Sequence, residues 1–307
     1  MRRFPLIFVL TLFAMMALAL PVTAQEEEAP ASRFDGESRF TVLILGMDRR
    51  PGARENFNTR TDSLVLASFN PADNSIGLLH IPRDLHFAGL DVDPLLRVNT
   101  LMIRGENFQE GYGPYYAMDT IQYNLGLYID AYIAFDFEAF IGVIDALGGV
   151  EISTNYNISD PTYPDMNYGI DPFYLPAGDH VLDGRTALKF ARTRHGDNDY
   201  LRGERQMQLI ESLGLKVTDT ENLPMMIAQA PLILDDLEGH LYTDLTVEDG
   251  IPLALFAATV PIENIRTGSI NQAYLTYTVQ EGQSIAIPDR TRIIELMAEI
   301  FGDDYAG

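Results

Sequence analysis

Basic residues are scarce in this chain, and several of them crowd together. Lysine and arginine total 21 against 44 aspartates and glutamates, a formal net charge of −23. Yet Arg192, Arg194, Arg202 and Arg205 fall within one short stretch. A guanidinium presents its donors in a planar fork that meets two phosphate oxygens at once. Such a cluster in so acidic a protein points to an anionic ligand with several phosphate oxygens. Asp199 lies about one helical turn before Arg202 and can orient it. Three earlier places also carry charge: Asp48, Asp62 and the Arg83-Asp84 pair. Two aspartates in a cleft suit a hard divalent cation, which takes oxygen ligands and keeps waters for substrate phosphates. The plainer alternatives are a solvated basic helix face, a turn capped by Asp62 and a loop ion pair at Arg83-Asp84.

The elements that must position these groups follow from periodicity. Residues 41–46 (TVLILG), 63–69 (SLVLASF) and 75–81 (SIGLLHI) are short apolar runs that read as strands. NPADN between the second and third carries turn chemistry and predicts an antiparallel hairpin. With the first and second strands as antiparallel neighbours, three loops meet at one sheet edge. Those loops carry Asp48, Asp62 and Arg83-Asp84. A helix over residues 199–218 has an inward line running from Val217 through Leu213 and Leu209 to Gln206 and Arg202. Arg205 lies one step off that line. Polar groups facing inward need either a buried network or a ligand.

Further strands are expected over 131–135, 150–153 and 265–269. Helices are expected over 114–125, 137–147, 183–192, 224–237, 246–258 and 289–301, and an irregular loop over 156–174. The alternation implies an α/β chain, a mixed sheet covered by helices on both faces.

Composition narrows the function classes. With 307 residues, 47% of them hydrophobic, the chain can bury a sizeable core. The absence of cysteine excludes a disulfide scaffold, thiol catalysis and a zinc–thiolate site. The acidic balance disfavours nucleic acid as a partner. Residues 1–24 combine Arg2 and Arg3, an apolar run and Val22-Thr23-Ala24, the pattern of a signal peptide or an N-terminal anchor. That places the remainder outside the cytoplasm, secreted or anchored at the cell envelope. Residues 25–38 read as an acidic flexible linker, with order beginning near Phe40.

The quoted stretches LILGMDRR, TRTDSLVLASFNP, HIPRD, RVN, DALGGVEI, LPAGDHVLDGRTALKFARTR and DYLRGERQ occur in an order that resembles the LytR–CpsA–Psr family of cell-envelope proteins. The resemblance covers roughly residues 40–217. It implies an α/β/α sandwich with a central mixed sheet and an apolar pocket for a polyprenyl chain. It also implies a catalytic core over 39–219, with 220–307 packed on that core or completing it. The implied activity is metal-dependent transfer, with Mg²⁺ or Mn²⁺, of a phospho-glycopolymer from a polyprenyl-pyrophosphate carrier to peptidoglycan or another envelope acceptor at a membrane surface. In the same resemblance Asp48 and Asp62 match metal-associated aspartates, and Arg83 matches a catalytic arginine near the pyrophosphate. Arg192, Arg194, Arg202 and Gln206 match the pyrophosphate-gripping set, with Asp199 orienting it. Arg50 and Arg97 are weaker matches. His80 stands where the family often has serine, and Arg97 where it often has lysine.

The implied reaction is attack of an acceptor hydroxyl on the sugar-side phosphorus, with polyprenyl phosphate leaving. Asp48 and Asp62 are both candidates for the base. Helices 114–125 and 137–147 are the candidate walls of the tail groove. Two rival readings use the same residues: a secreted polyprenyl-pyrophosphate hydrolase, and a noncatalytic lipid-carrier binding protein.

Overall fold

In a computed structural model of the chain, the described residues are 32–49, 56–90, 95–165, 169–193, 202, 204–206, 208–209, 212 and 237–306. The expected targeting segment and the expected helix over 224–237 lie outside them, except for Leu237. The chain divides into two compact units. The first comprises Ala31–Arg49, Ala53–Asp136 and Leu241–Gly307; the second takes in Phe137–His240 and Arg50–Gly52.

The first unit begins with β1 (Phe40–Met47), β2 (Thr61–Asn70) and β3 (Ser75–His80), antiparallel in succession. The β2–β3 link works as its sequence dictates. Asn70 caps the short turn Pro71–Asp73, and Asn74 takes a left-handed conformation at φ 48°. The short strands β4 (His86–Phe87) and β5 (Leu96–Arg97) pair antiparallel. They lead to α1 (Leu101–Phe108) and α2 (Gly113–Leu125), and β6 (Ala131–Phe135) then lies parallel to β1.

The second unit contains α3 (Phe137–Ala146), β7 (Val150–Thr154), β8 (Ile158–Asp160), β9 (Phe173–Leu175), β10 (Gly178–Leu182) and α4 (Gly184–Arg192). Its sequence signatures have direct physical causes. Asp145 accepts the Gly184 N–H at 2.7 Å, tying the end of α3 to the start of α4. A Cβ on Gly184 would lie 2.3 Å from the Ile141 carbonyl oxygen, so only glycine permits this approach. A Cβ on Gly149, at φ 92°, would lie 2.9 Å from the Leu182 carbonyl oxygen. Asp183 caps α4 through the Thr186 N–H. Residues 156–174, expected as irregular loop, instead contain a small hairpin: β8 pairs with β9, and Pro164 bridges to Ile170.

Beyond residue 240 the chain re-enters the first unit as β11 (Leu241–Thr243), α5 (Val247–Thr259) and β12 (Ile265–Ser269). The hairpin β13 (Leu275–Gln280) and β14 (Gln283–Pro288) and then α6 (Arg290–Phe301) follow. The six-stranded sheet has the order β11-β6-β1-β2-β3-β12, so the C-terminal stretch supplies both edges. Both faces are buried, which explains the unbroken apolar runs. Leu43, Leu45 and Met47 share a core cluster with Ala117 and Ile121 of α2 and with Met297 of α6. On the other face Phe34 lies between Phe40 and Phe256 of α5, ring centroids 6.0 and 5.7 Å away. Burying each such side chain contributes about 1.5–3 kcal/mol.

One expectation needs amending. Within the stretch 25–38, assigned to a flexible linker, Arg33 and Phe34 are fastened down. Arg33 donates to Asp249 through its backbone N–H (2.6 Å) and Nε (2.9 Å), and to the carbonyls of Asp244 and Asp130. Of the two helices expected to wall the tail groove, α2 belongs to the first unit and α3 to the second. The inward side chains of α2 are core residues of the first unit.

Candidate active site

The ladder between β1 and β2 is regular from Phe40↔Phe69 to Gly46↔Ser63, then shifts so that Met47 pairs with Thr61. Asp62 is the extra residue of this bulge. Bulges bend a strand and re-aim a side chain, and they recur beside active sites. Asp48 follows directly. Its N–H donates to the Arg60 carbonyl at 2.8 Å, and its carbonyl accepts the Thr59 hydroxyl at 3.0 Å.

Arg83 arrives from the turn after β3. Ile81 N–H still bonds Leu64, Leu85 N–H closes the turn onto Pro82, and the Arg83 carbonyl accepts the Asn99 N–H at 3.2 Å. Arg83 Nη1 donates to Asp62 at 2.6 Å. Asp84 lies 3.7 Å from Arg83 Nε and 3.6 Å from Arg97 Nη1. Asp62, Arg83, Asp84 and Arg97 thus form a chain of alternating charge at one end of the sheet. His86, paired in register with Arg97, has its pKa lowered, first by burial and then by the Arg97 cation. Among the described residues the buried Thr61 Oγ1, His86 Nδ1 and Asn99 Oδ1 have no hydrogen-bond partner, and all three residues belong to this region. Buried polar atoms normally find a hydrogen-bond partner, so these three call for a water, an ion or a ligand.

The arginine group belongs to the second unit. Arg192 ends α4, its guanidinium carbon 4.1 Å from the Phe137 ring centroid and 5.8 Å from that of Tyr163. Arg192 Nη1 donates to the Tyr163 hydroxyl at 3.3 Å. The next residue, Thr193, donates its hydroxyl to buried Asp160 at 2.6 Å. Arg202 and Gln206 are half-buried, and Gln206 donates to the Ala191 carbonyl at 3.3 Å. Arg50, Arg194 and Asp199 lie outside the described residues.

Arg205, read from sequence as off the inward line, is only 2% exposed. It donates to the carbonyls of Phe190 (2.9 Å) and Thr193 (2.5 Å), closing the end of α4. The inward face passes through Leu209 and Arg205, with Arg202 and Gln206 beside it. A polar–apolar stripe over a few residues fixes a helix face only to within one position, and arginine at a helix C-terminus is itself a capping signal.

Sequence reading also missed Arg49, Asp136 and Tyr242. Arg49 Nε and Nη2 both donate to Asp136 Oδ2, at 2.8 and 2.5 Å, and Nη1 donates to the Tyr242 hydroxyl at 2.7 Å. Burial opposes the Arg49 charge, but Tyr242 and Asp136 outweigh it and its pKa is raised. The available signal was a charged residue within two positions of the end of each of two apolar strands.

The LytR_cpsA_psr family model matches residues 15–300. The chain belongs to the LytR–CpsA–Psr family. Among its relatives is the polyisoprenyl-teichoic acid–peptidoglycan teichoic acid transferase TagT of Bacillus subtilis, 28% identical over 236 residues, covering 75% of this chain and 68% of TagT. The corresponding TagU transferase of Enterococcus faecalis is 25% identical over 282 residues, 91% of this chain and 84% of that one. An uncharacterized Staphylococcus aureus relative is 29% identical over 191 residues, 61% of this chain, and the match spans only 44% of that relative. The fold agrees with the family. The crystal structure of B. subtilis TagV superposes with a TM-score of 0.68 at 23% identity, covering 88% of this chain and 99% of TagV. That of TagT bound to LI-WTA gives 0.64 at 22% identity, covering 92% and 95%. A mixed central sheet flanked by helices is thus common to this chain and its LytR–CpsA–Psr relatives.

Proposed function

We propose that the chain is a phosphotransferase that moves a phospho-glycopolymer from a polyprenyl-pyrophosphate carrier to a peptidoglycan hydroxyl. The observation that carries this reading is the meeting of Asp62 and Arg83 at the bulged end of the sheet, beside Asp48. An acid and a fork-shaped cation in contact beside a second carboxylate suit a diphosphate with a hydroxyl approaching it. The names of the relatives, transferases acting between a polyisoprenyl-linked polymer and peptidoglycan, support the same chemistry.

The donor set fits a hard cation. Asp48 and Asp62 offer only oxygen, and among the described residues no group of three or more His, Asp or Glu could hold a metal ion. Two carboxylates from the protein would leave the remaining positions to phosphate oxygens and water, as Mg²⁺ prefers. When bound, such an ion would neutralise charge on the transferring phosphoryl group. Arg83 would hold a nonbridging oxygen and Asp48 would take the proton of the acceptor hydroxyl; in the second unit, Arg192 offers a fork suited to phosphate oxygens.

A radiolabelled prenyl-pyrophosphate-linked disaccharide, incubated with and without peptidoglycan, tests the proposal. Label in the insoluble wall fraction, dependent on peptidoglycan, is the expected result. Release of the sugar phosphate to water irrespective of acceptor would make the chain a hydrolase. Binding without turnover would make it a carrier-binding protein.

A further inference from the structure

Among the described residues of the first unit, Arg49, which follows Asp48, is the most deeply buried cation. Arg49 and Asp136 are 5% and 3% exposed. Besides its three hydrogen bonds to Asp136 and Tyr242, the Arg49 guanidinium carbon lies 5.2 Å from the Tyr242 ring centroid. Phe57 packs edge-on against the same ring at 5.1 Å.

The placement of these three residues is informative. Arg49 lies two positions beyond β1, Asp136 one beyond β6, and Tyr242 within β11. Those strands are consecutive neighbours, in the order β11-β6-β1. The chain leaves the first unit directly after Arg49 and again directly after Asp136, and it re-enters at Leu241, beside Tyr242. One buried polar cluster within the first unit therefore ties together the ends of three neighbouring strands.

Ladder pairing ends just short of Asp48. β1 is in register with β6 only as far as Gly46 and with β2 as far as Met47. Beyond that, residues 59–60 hold the Asp48 backbone from one side through two hydrogen bonds. On the other side its neighbour Arg49 is the next anchored group. Buried ion pairs are poor stabilisers, since apolar side chains of similar volume often do as well or better. What such a pair does supply is a defined geometry, because charged partners tolerate few arrangements once desolvated.

We infer that Arg49, Asp136 and Tyr242 form a clasp that orients Asp48 for the reaction, with Arg49 acting as a positioning residue through the peptide bond it shares with Asp48. The inference rests on the role given to Asp48 above. Misplacing a reacting group by a fraction of an ångström to an ångström lowers rates by up to about a hundredfold while leaving remote binding contacts intact.

The test uses the full chain, a short-chain prenyl-pyrophosphate-linked disaccharide as donor, and peptidoglycan as acceptor. Single-turnover rate, donor Kd and Tm are measured for Arg49→Lys, Tyr242→Phe, the double variant Arg49→Met/Asp136→Leu, and Asp48→Asn. The double variant replaces the ion pair with apolar volume and so keeps the test open should a single substitution fail to fold. Expected are a rate loss of about tenfold or more in Arg49→Lys and in the double variant, with donor Kd within about twofold and Tm of the double variant undiminished. Tyr242→Phe keeps the ring and loses the hydroxyl, so its rate loss is smaller. A folded double variant that turns over at the wild-type rate, while Asp48→Asn is inactive, overturns the clasp alone. Loss of rate only in step with loss of Tm makes the pair structural and also overturns it. An active Asp48→Asn removes the role of Asp48, and the clasp with it.

Discussion

The two charged regions are positioned by different means. Asp48, Asp62 and Arg83 stand at strand ends, held by backbone hydrogen bonds and a bulge beside buried Met47 and Thr61. Arg192 stands at a helix end, where its direction is set by side chains: Phe137 below it, the Tyr163 hydroxyl, and Asp160 holding the next residue. Backbone ladders tolerate side-chain substitution, whereas a side-chain cradle changes with every residue in it. The first region should therefore respond sharply to loss of its own functional groups, and the second also to its supports.

The largest expected effect is at the sheet end. Asp62→Asn and Arg83→Ala should each lower single-turnover transfer roughly a hundred- to a thousandfold, the scale of removing one preorganised electrostatic contact. Thermal unfolding should move little, because the ladder and bulge are backbone structures. A comparable loss of Tm in either variant would erase the contrast between the regions.

Next in size is the cradle. Arg192→Ala should weaken donor binding about ten- to a hundredfold, the worth of a charge-assisted hydrogen bond, and Arg192→Lys should restore part of it. Tyr163→Phe removes only the hydroxyl bond and should cost about two- to fivefold in affinity. Calorimetric titration with a short-chain prenyl pyrophosphate reads both. Equal affinities for wild type, Tyr163→Phe and Tyr163→Ala would show that Arg192 needs no support.

Arg205 sharpens the comparison from within the second unit. Its bonds close the end of α4, so Arg205→Ala should cost about 1.5–3 kcal/mol of stability. Exposed Arg185 in the first turn of α4 should cost within about 0.5 kcal/mol when replaced by alanine. Denaturant titrations of the two variants settle the point, and equal midpoints would remove the capping role.

The smallest effect lies at the opposite end of β1. Burial raises the Asp130 carboxyl to about 6, against the favourable Thr41 N–H and the Arg33 charge. An acid whose folded pKa exceeds its unfolded value of 3.8 favours the fold only while protonated. Its contribution declines as pH rises from about 4 to 6 and stays unfavourable above that. Asp130→Asn, which keeps an acceptor for Thr41, should therefore gain about 2 °C in Tm relative to wild type between pH 4 and pH 7. A constant difference across that range would contradict the shift.

The same contrast explains what the sequence made legible. β1, β2 and β3 were plain because both faces are buried and the turn at NPADN admits one reading, and the meeting of Asp48, Asp62 and Arg83 followed from topology. The bulge that re-aims Asp62 was not legible, since one extra residue leaves no mark in hydropathy. The face of Arg205 was misread because a long polar side chain on the inward line looks like a surface residue until its carbonyl partners are known. The β13–β14 hairpin escaped notice because Glu281-Gly282, at φ 51° and 78°, is a weak turn signature beside Asn-Gly. Tyr163 and Asp160 sit in a stretch without periodicity, where only the folded contacts reveal a purpose.

The fastening at Arg33 has a mechanical consequence. Tension arriving through the residues before Ser32 meets the ion pairs of Arg33 and the wedged ring of Phe34 before it reaches the sheet. Past them it runs along β1, a central strand with partners on both sides, and so loads two ladders in shear at once. Asp48 lies at the far end of those eight residues, about 25 Å along the strand. A pull applied ahead of Ser32 would be spent at one end of β1, and the carboxylates of Asp48 and Asp62 at the other end would not feel it.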